Sequence, residues 1–366
     1  MAPEVTVYTT PPEPLVTLLA KSSLLHSLPL IRRLRFTRLP GGITEHTRIL
    51  WSSRVSLDQY LATTTTNADG NGINDDRSVQ EEVPFAAAYL DFSRGPETEL
   101  WIYSSMERRL SESTRTQGDA QAGQGGQEAE GETPVSEAHE REEVACAVAL
   151  LRETKRQQDR YFVPGSARAA AREHPTALVG NLNECLRSRL AGAGMAVVST
   201  GLYDKWVFKV DELPDVALPP PPPPATDTPG DGDGRRWVWD RVRREDVPFT
   251  ISRTSIPRRE RTMKLLPSTA LYLDDGTPVA WAYLGPDSSL SSLHCEEPFR
   301  GRGIAKAVAV RVLRDHLKEY SDDPYGWADV APDNTQSRSV CRSLNGHPMW
   351  QISWSRLNLD ESFPDE

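Results

Sequence analysis

The chain has 366 residues, enough for two domains, and carries 42 lysines and arginines against 52 acidic residues. The resulting formal net charge of −10 argues against wholesale nucleic-acid binding. No stretch approaches the roughly 20 apolar residues of a membrane span, and the first residues show no basic segment ahead of an apolar core, so neither a span nor a secretory leader is expected.

The four cysteines, Cys146, Cys185, Cys295 and Cys341, form no close pair. They read as reduced thiols of an intracellular protein, in the cytosol or else the nucleus, and no metal site is expected. In chain order, apolar runs at 15–19 and 24–28 predict two helices, with Pro29 separating the second from the next segment. Arg32-Arg33-Leu34-Arg35 reads as a solvated helix face. Residues 48–51 predict a strand and 63–82 a loose polar loop. Residues 85–91 and 99–105 predict antiparallel neighbours around Ser93-Arg94-Gly95-Pro96.

Residues 111–143, rich in Gly, Gln, Glu and Ser, cannot bury enough surface to offset ordering entropy and are expected to be a disordered insert. The pattern resumes as a helix at Val144. A second helix over 183–190 is closed by Gly192-Ala193-Gly194, and strands come next at 195–200 and 205–210. The unbroken run Pro219 to Pro224 and the Gly-Asp repeat after it predict an extended, then flexible, linker over 216–235. It reads as a spacer, or more sharply as a ligand for a proline-binding module. Residues 1–110 and 144–215 are thus two parts of one N-terminal α/β region, and 236–366 form a C-terminal domain.

That domain alternates. Trp237-Val238-Trp239-Asp240 is a strand or the linker's end. Two apolar runs flank Asp274-Asp275-Gly276, a strong hairpin signal. A third strand, 291–295, leads into Glu296-Glu297-Pro298-Phe299-Arg300-Gly301-Arg302-Gly303-Ile304-Ala305, after which apolar residues recur every fourth position. Glycines let this backbone turn tightly and bring N–H groups close to a ligand, the free amides of a helix start form an anion site, and Arg300 and Arg302 complement phosphate oxygens. Strand 326–330, a short helix to about Leu344 with Asp333 as its cap, and strand 350–354 complete the domain.

The order Arg300-x-x-Gly303-x-Ala305 opening a helix resembles the signature of the GCN5-related N-acetyltransferases (GNATs), over residues 249–357. Asp275-Gly276-Thr277-Pro278-Val279-Ala280-Trp281 and Asn334-Thr335-Gln336-Ser337 are most similar to the glycine N-acyltransferase-like and FR47-like branch. The resemblance implies an α/β GNAT fold in the C-terminal half. By analogy it also implies a degenerate GNAT-like N-terminal half, where no diphosphate signature stands.

The chemistry that the resemblance implies is transfer of an acetyl or other short acyl group from acyl-CoA to an amine, by direct attack in a ternary complex. Backbone amides from Arg300 to Ala305 (Arg300, Gly301, Arg302, Gly303, Ile304, Ala305) would hold the diphosphate, and Leu293 to Cys295 would offer backbone groups to pantetheine. Asn334 matches an asparagine that contacts the coenzyme or orders a water, and Ser337 a small residue beside it. Seven residues after Asn334, many members carry a tyrosine that protonates the departing thiolate. Here Cys341 stands, either as a thiol donor or as a buried structural cysteine. His294 and Glu296 share one strand face and are candidate bases, with Glu297 as a third. Each also has a plain reading, as a hydrogen-bonded core histidine or a solvated loop acid.

Arg253 and Arg258, with Arg259, would hold a carboxylate of a small amine acceptor, or merely solvate a helix. The net acidity argues instead for a basic acceptor. The rival to an enzyme is a non-catalytic acyl-CoA-binding or scaffold protein that keeps the fold.

Overall fold

Period-two alternation in the first half separates two faces of a sheet. The computed structural model describes residues 2–22, 24–66, 83–107, 137–221 and 236–365. The chain divides into two compact units, one of residues 1–37, 43–201 and 353–366, the other of 38–42 and 202–352.

In the first unit β1 (Glu4–Tyr8), β2 (Arg48–Ser53), β3 (Phe85–Leu90) and β4 (Leu100–Ser104) are successive antiparallel neighbours. β5 (Ala177–Asn183) runs parallel to β4 through Leu100↔Val179 and Trp101↔Gly180. The aromatic-rich face, with Trp51, Tyr89, Trp101 and Tyr103, packs with Leu15, Leu19, Leu30 and Leu34 of α1 (Glu13–Ser22) and α2 (Leu24–Phe36), beside α3 (Leu57–Thr66). The aliphatic face, with Leu50, Ala88, Leu90 and Ile102, packs with Cys146, Ala147, Leu150 and Leu151 of α4 (Glu137–Tyr161). The short α5 (Ala167–Ala170) precedes β5, and α6 (Glu184–Gly192) comes after it, capped by Asn183, whose side chain accepts from Cys185 N–H. Each leucine buried this way contributes about 2 kcal/mol.

Chain order continues with β6 (Val197–Lys209), β7 (Trp237–Asp240), α7 (Val247–Ser252) and α8 (Glu260–Met263). In the second unit β7, β8 (Ser268–Leu273), β9 (Pro278–Leu284) and β10 (Leu290–Cys295) form an antiparallel meander. α9 (Ile304–His316) packs across β8, β9 and β10, burying Ile304, Val308, Val312 and Leu313. β11 (Tyr325–Val330) pairs antiparallel with residues 204–209 of β6, and α10 (Thr335–Ser343) packs beside it. β10 and β11 lie side by side yet belong to different hydrogen-bonded ladders. β12 (His347–Leu357) leads to α11 (Leu359–Ser362), which packs on α4.

Several expectations change. Pro29 lies inside α2, not at its end. The lost backbone bond costs about 3 kcal/mol, less than burial of Leu28, Leu30, Ile31 and Leu34 returns. Arg32 and Arg33 are buried, not solvated, and the Arg33 guanidinium lies 3.6 Å from the Tyr89 ring centroid. Helix α4 begins at Glu137, seven residues before Val144, so the expected insert loses its last residues to helix. Its remaining residues, 111–136, lie outside the described residues, as do 67–82 of the expected polar loop and 222–235 of the linker; 63–66 belong to α3.

The two strands expected over 195–210 are the single strand β6, and β5 was not anticipated. The second unit takes residues 202–215, and the first takes 353–366, so neither keeps to the boundary expected at the proline run. No described helix is long and apolar enough to cross a membrane.

Candidate active site

Strand β10 does not pair evenly with β9. Ser291 pairs with Tyr283 and His294 with Trp281, and the register shifts between them around Ser292, whose φ is +51°. Such a bulge releases backbone groups from the ladder and re-aims side chains. Leu293 lies within it, and the Ser292 hydroxyl is buried with no hydrogen-bond partner among the described residues.

Beyond Cys295 the chain makes a 3-10 turn over Glu297–Phe299 and then the two glycines. Gly301 and Gly303 have φ +76° and +77°, a region that favours glycine. Gly303 is the N-cap of α9 and brings no capping side chain. The helix's first hydrogen bond runs from Ala307 N–H to the Gly303 carbonyl, which leaves the amides ahead of it, from Ile304 on, open to a ligand. A Cβ at either glycine would meet nothing within 4 Å. Open space therefore lies above the helix start, with the positive end of the helix dipole beneath it, an arrangement that attracts an anion. Arg300 is less free: its Nε donates to the Cys295 carbonyl at 2.9 Å, so the side chain folds back over the end of β10. That bond also occupies the carbonyl expected to serve pantetheine.

The candidate bases converge with a candidate acceptor-binding residue. Arg253 donates to both oxygens of Glu296, at 2.9 and 3.4 Å, and stacks on Phe249 at 4.7 Å. Glu296 Oε1 also lies 3.2 Å from His294 Nε2, close but outside hydrogen-bond alignment. The His294 ring stacks on Trp281, its cross-strand partner, with centroids 4.7 Å apart. Burial lowers the His294 pKa and the Glu296 charge only partly offsets it, so the ring is neutral at pH 7 and able to accept a proton. Arg258 donates to Ser291 Oγ at 2.9 Å. Arg253 and Arg258 therefore already engage residues of β10 and its end.

On the other side of the break in the sheet, Asn334 is the N-cap of α10, accepting from Ser337 N–H at 3.0 Å. The cap is thus Asn334 and not Asp333, and Ser337 is its partner. Cys341 is 2 % exposed, and burial, reinforced by Asp329, pushes its thiol up to about 12. Asn345, at φ +61°, ends α10: Gly346 N–H bonds the Cys341 carbonyl and Asn345 N–H that of Arg342, closing a Schellman motif. Sequence reasoning missed the Trp281–His294 stack, the Arg253–Glu296 pair and the Ser292 bulge. The adjacent serines inside an apolar strand were the one signal for the bulge.

The profile of the acyl-CoA N-acyltransferase verG N-terminal domain matches residues 3–209. The chain belongs to this family. It is thereby a member of the GNAT superfamily, as the loop implied, and the match falls on the half that was assigned from sequence by analogy alone. A Drosophila protein of known structure shares 12 % identity over 96 % of this chain and 98 % of its own, with a TM-score of 0.54, so the two share a fold over nearly the whole chain. A tandem GNAT protein from the clavulanic acid biosynthesis pathway aligns over 97 % of both chains at 13 % identity and TM-score 0.44. A GCN5-related N-acetyltransferase from Kribbella flavida aligns over 57 % of this chain and 75 % of its own, at 15 % identity and TM-score 0.35. No curated protein matches the chain.

Proposed function

We propose that the second unit transfers an acetyl or other short acyl group from acyl-CoA to a small amine. The observation that carries this reading is the uncapped, glycine-opened start of α9, set directly after a bulged strand. Amides from Gly301 to Ala305 would hold the diphosphate, since the Arg300 N–H already donates to the Glu297 carbonyl at 3.2 Å. Backbone released at Ser292 and Leu293 would face the thioester arm.

The amine nitrogen attacks the thioester carbonyl carbon, forming the C–N bond as the C–S bond breaks and sulfur leaves with the electron pair. His294 takes the amine's proton. Glu296, bonded to Arg253 and 3.2 Å from the ring, would stabilise the imidazolium that results. This assigns Arg253 to positioning rather than to the acceptor, and leaves Arg258 as the candidate for an acceptor carboxylate. Asn334 Oδ1 is engaged in its cap, so its amide NH₂ would be the group that meets the coenzyme. Burial of Cys341 favours its core-packing reading, and water is the better source of the thiolate's proton.

The same burial favours one alternative, an acyl-CoA-binding protein without turnover, because it removes the thiol donor that the sequence offered for the thiolate. Thiol release from acetyl-CoA with a panel of amino acids and polyamines separates the two. The enzyme reading expects amine-dependent release that falls at least tenfold in His294→Gln. Tight binding with no release under any amine would establish the alternative.

A further inference from the structure

An open pocket of about 80 Å³ lies in the first unit, where β2 begins, β3 ends and α4 completes its last turn. Three guanidinium groups, Arg48, Arg160 and Arg168, line it together with the His46 imidazole, against the rings of Phe92 and Tyr161. Nothing in the acyl-transfer reading uses it.

The cations are held mainly by groups that leave their charge unanswered. Arg48 Nη1 donates to the carbonyls of Glu45 and Thr47, at 2.9 and 2.7 Å. The Arg168 guanidinium rests over the Tyr161 ring at 5.0 Å, and His46 meets the same ring edge-on at 4.8 Å. Two acids stand near. Glu45 lies 3.0 Å from His46 Nε2, and Glu153 lies 3.7 Å from Arg160 Nη1. Glu153 is shared, since it also lies 3.5 Å from Arg156 Nη1 and accepts from Gln157 Nε2 at 2.7 Å. The pocket is therefore net positive in a chain whose formal charge is −10.

A single carboxylate needs one guanidinium. Three, with an imidazole, suit a group of higher charge and several acceptor oxygens, and the aromatic rings suit an organic portion beside it. We propose that this pocket binds a small phosphate-bearing molecule, a phosphate monoester or diphosphate, with its organic part against Phe92 and Tyr161.

Calorimetric titration of the full chain with inorganic diphosphate tests this, and two variants separate the pocket from the α9 loop. Arg160 and Arg168 are exposed, so the Arg160→Glu/Arg168→Glu chain should fold, which thermal melting checks. The wild type should show two sites. The double variant should lose one, or weaken it at least tenfold, and keep the other, while Gly303→Val should do the reverse. An isotherm unchanged in Arg160→Glu/Arg168→Glu overturns the proposal, as does a wild type with no binding or with one site that Gly303→Val abolishes.

Discussion

Glu99 is 7 % exposed and accepts the Leu178 amide through Oε2 at 2.9 Å. Burial raises its carboxyl to about 7, against the hydrogen bond and the Arg172 charge. The folded chain thus holds a proton that the unfolded chain releases near 4.5, so stability is full below that pH and declines as pH rises toward 7. Glu99→Gln keeps an acceptor for Leu178 and cannot ionise. It should be more stable than wild type at pH 8 by up to roughly 3 kcal/mol, with the gap closing near pH 4 in denaturant melts; a gap independent of pH would contradict the assignment. His294 works in the opposite sense. Its lowered pKa keeps the neutral ring present at mildly acidic pH, so the acid limb of kcat/KM should fall below the ordinary histidine value of about 6.5. Arg253→Ala should shift that limb while changing KM for acetyl-CoA little. For Cys341→Ala the turnover should stay within about twofold and the stability should fall by about 1–2 kcal/mol, as for a small core cavity.

Elements place these residues through a few special backbone positions. The bulge at Ser292 and the paired left-handed glycines each end or redirect an element beside the candidate site, and the left-handed Asn345 ends α10 at the end away from Asn334. β6 and β11 are joined by a buried cross-strand ion pair, Lys205 Nζ to Asp329 Oδ1 at 2.5 Å, with the ammonium 5.5 Å from the Trp327 ring. Removing one partner leaves a buried charge, so Lys205→Met should cost about 3–5 kcal/mol in denaturant unfolding, and Lys205→Met/Asp329→Leu should recover most of it. The hairpin, β10 and α9 were legible because Asp-Gly and fourfold apolar spacing are local signals. β5 was not, since Gly180 and Asn181 interrupt its apolar pattern and pairing with β4 builds it. Pro29 and the arginine pair of α2 were misread for the same reason: tertiary burial decides them.

At the scale of the whole molecule, the family match and the glycine loop before α9 fall on different parts of the chain. The verG-type domain profile covers residues 3–209, while the Arg300-x-x-Gly303-x-Ala305 loop lies in the second unit. The acyltransferase fold of that second part was legible from one loop and its flanking elements. That of the first was reached only by analogy, because no local motif marks it. The candidate site was half legible: sequence order gave the loop and the three base candidates, but the Arg253–Glu296 contact spans 43 residues and comes from folding alone. The most direct measurement is calorimetric titration with acetyl-CoA of the wild type and of Gly303→Val, which places a branched side chain at φ +77° over the helix start. A site of micromolar affinity, about −8 kcal/mol, should be present in the wild type and in Arg160→Glu/Arg168→Glu and absent in Gly303→Val. Binding that survives Gly303→Val, or none in the wild type, would contradict the assignment of the acyl-CoA site to this loop.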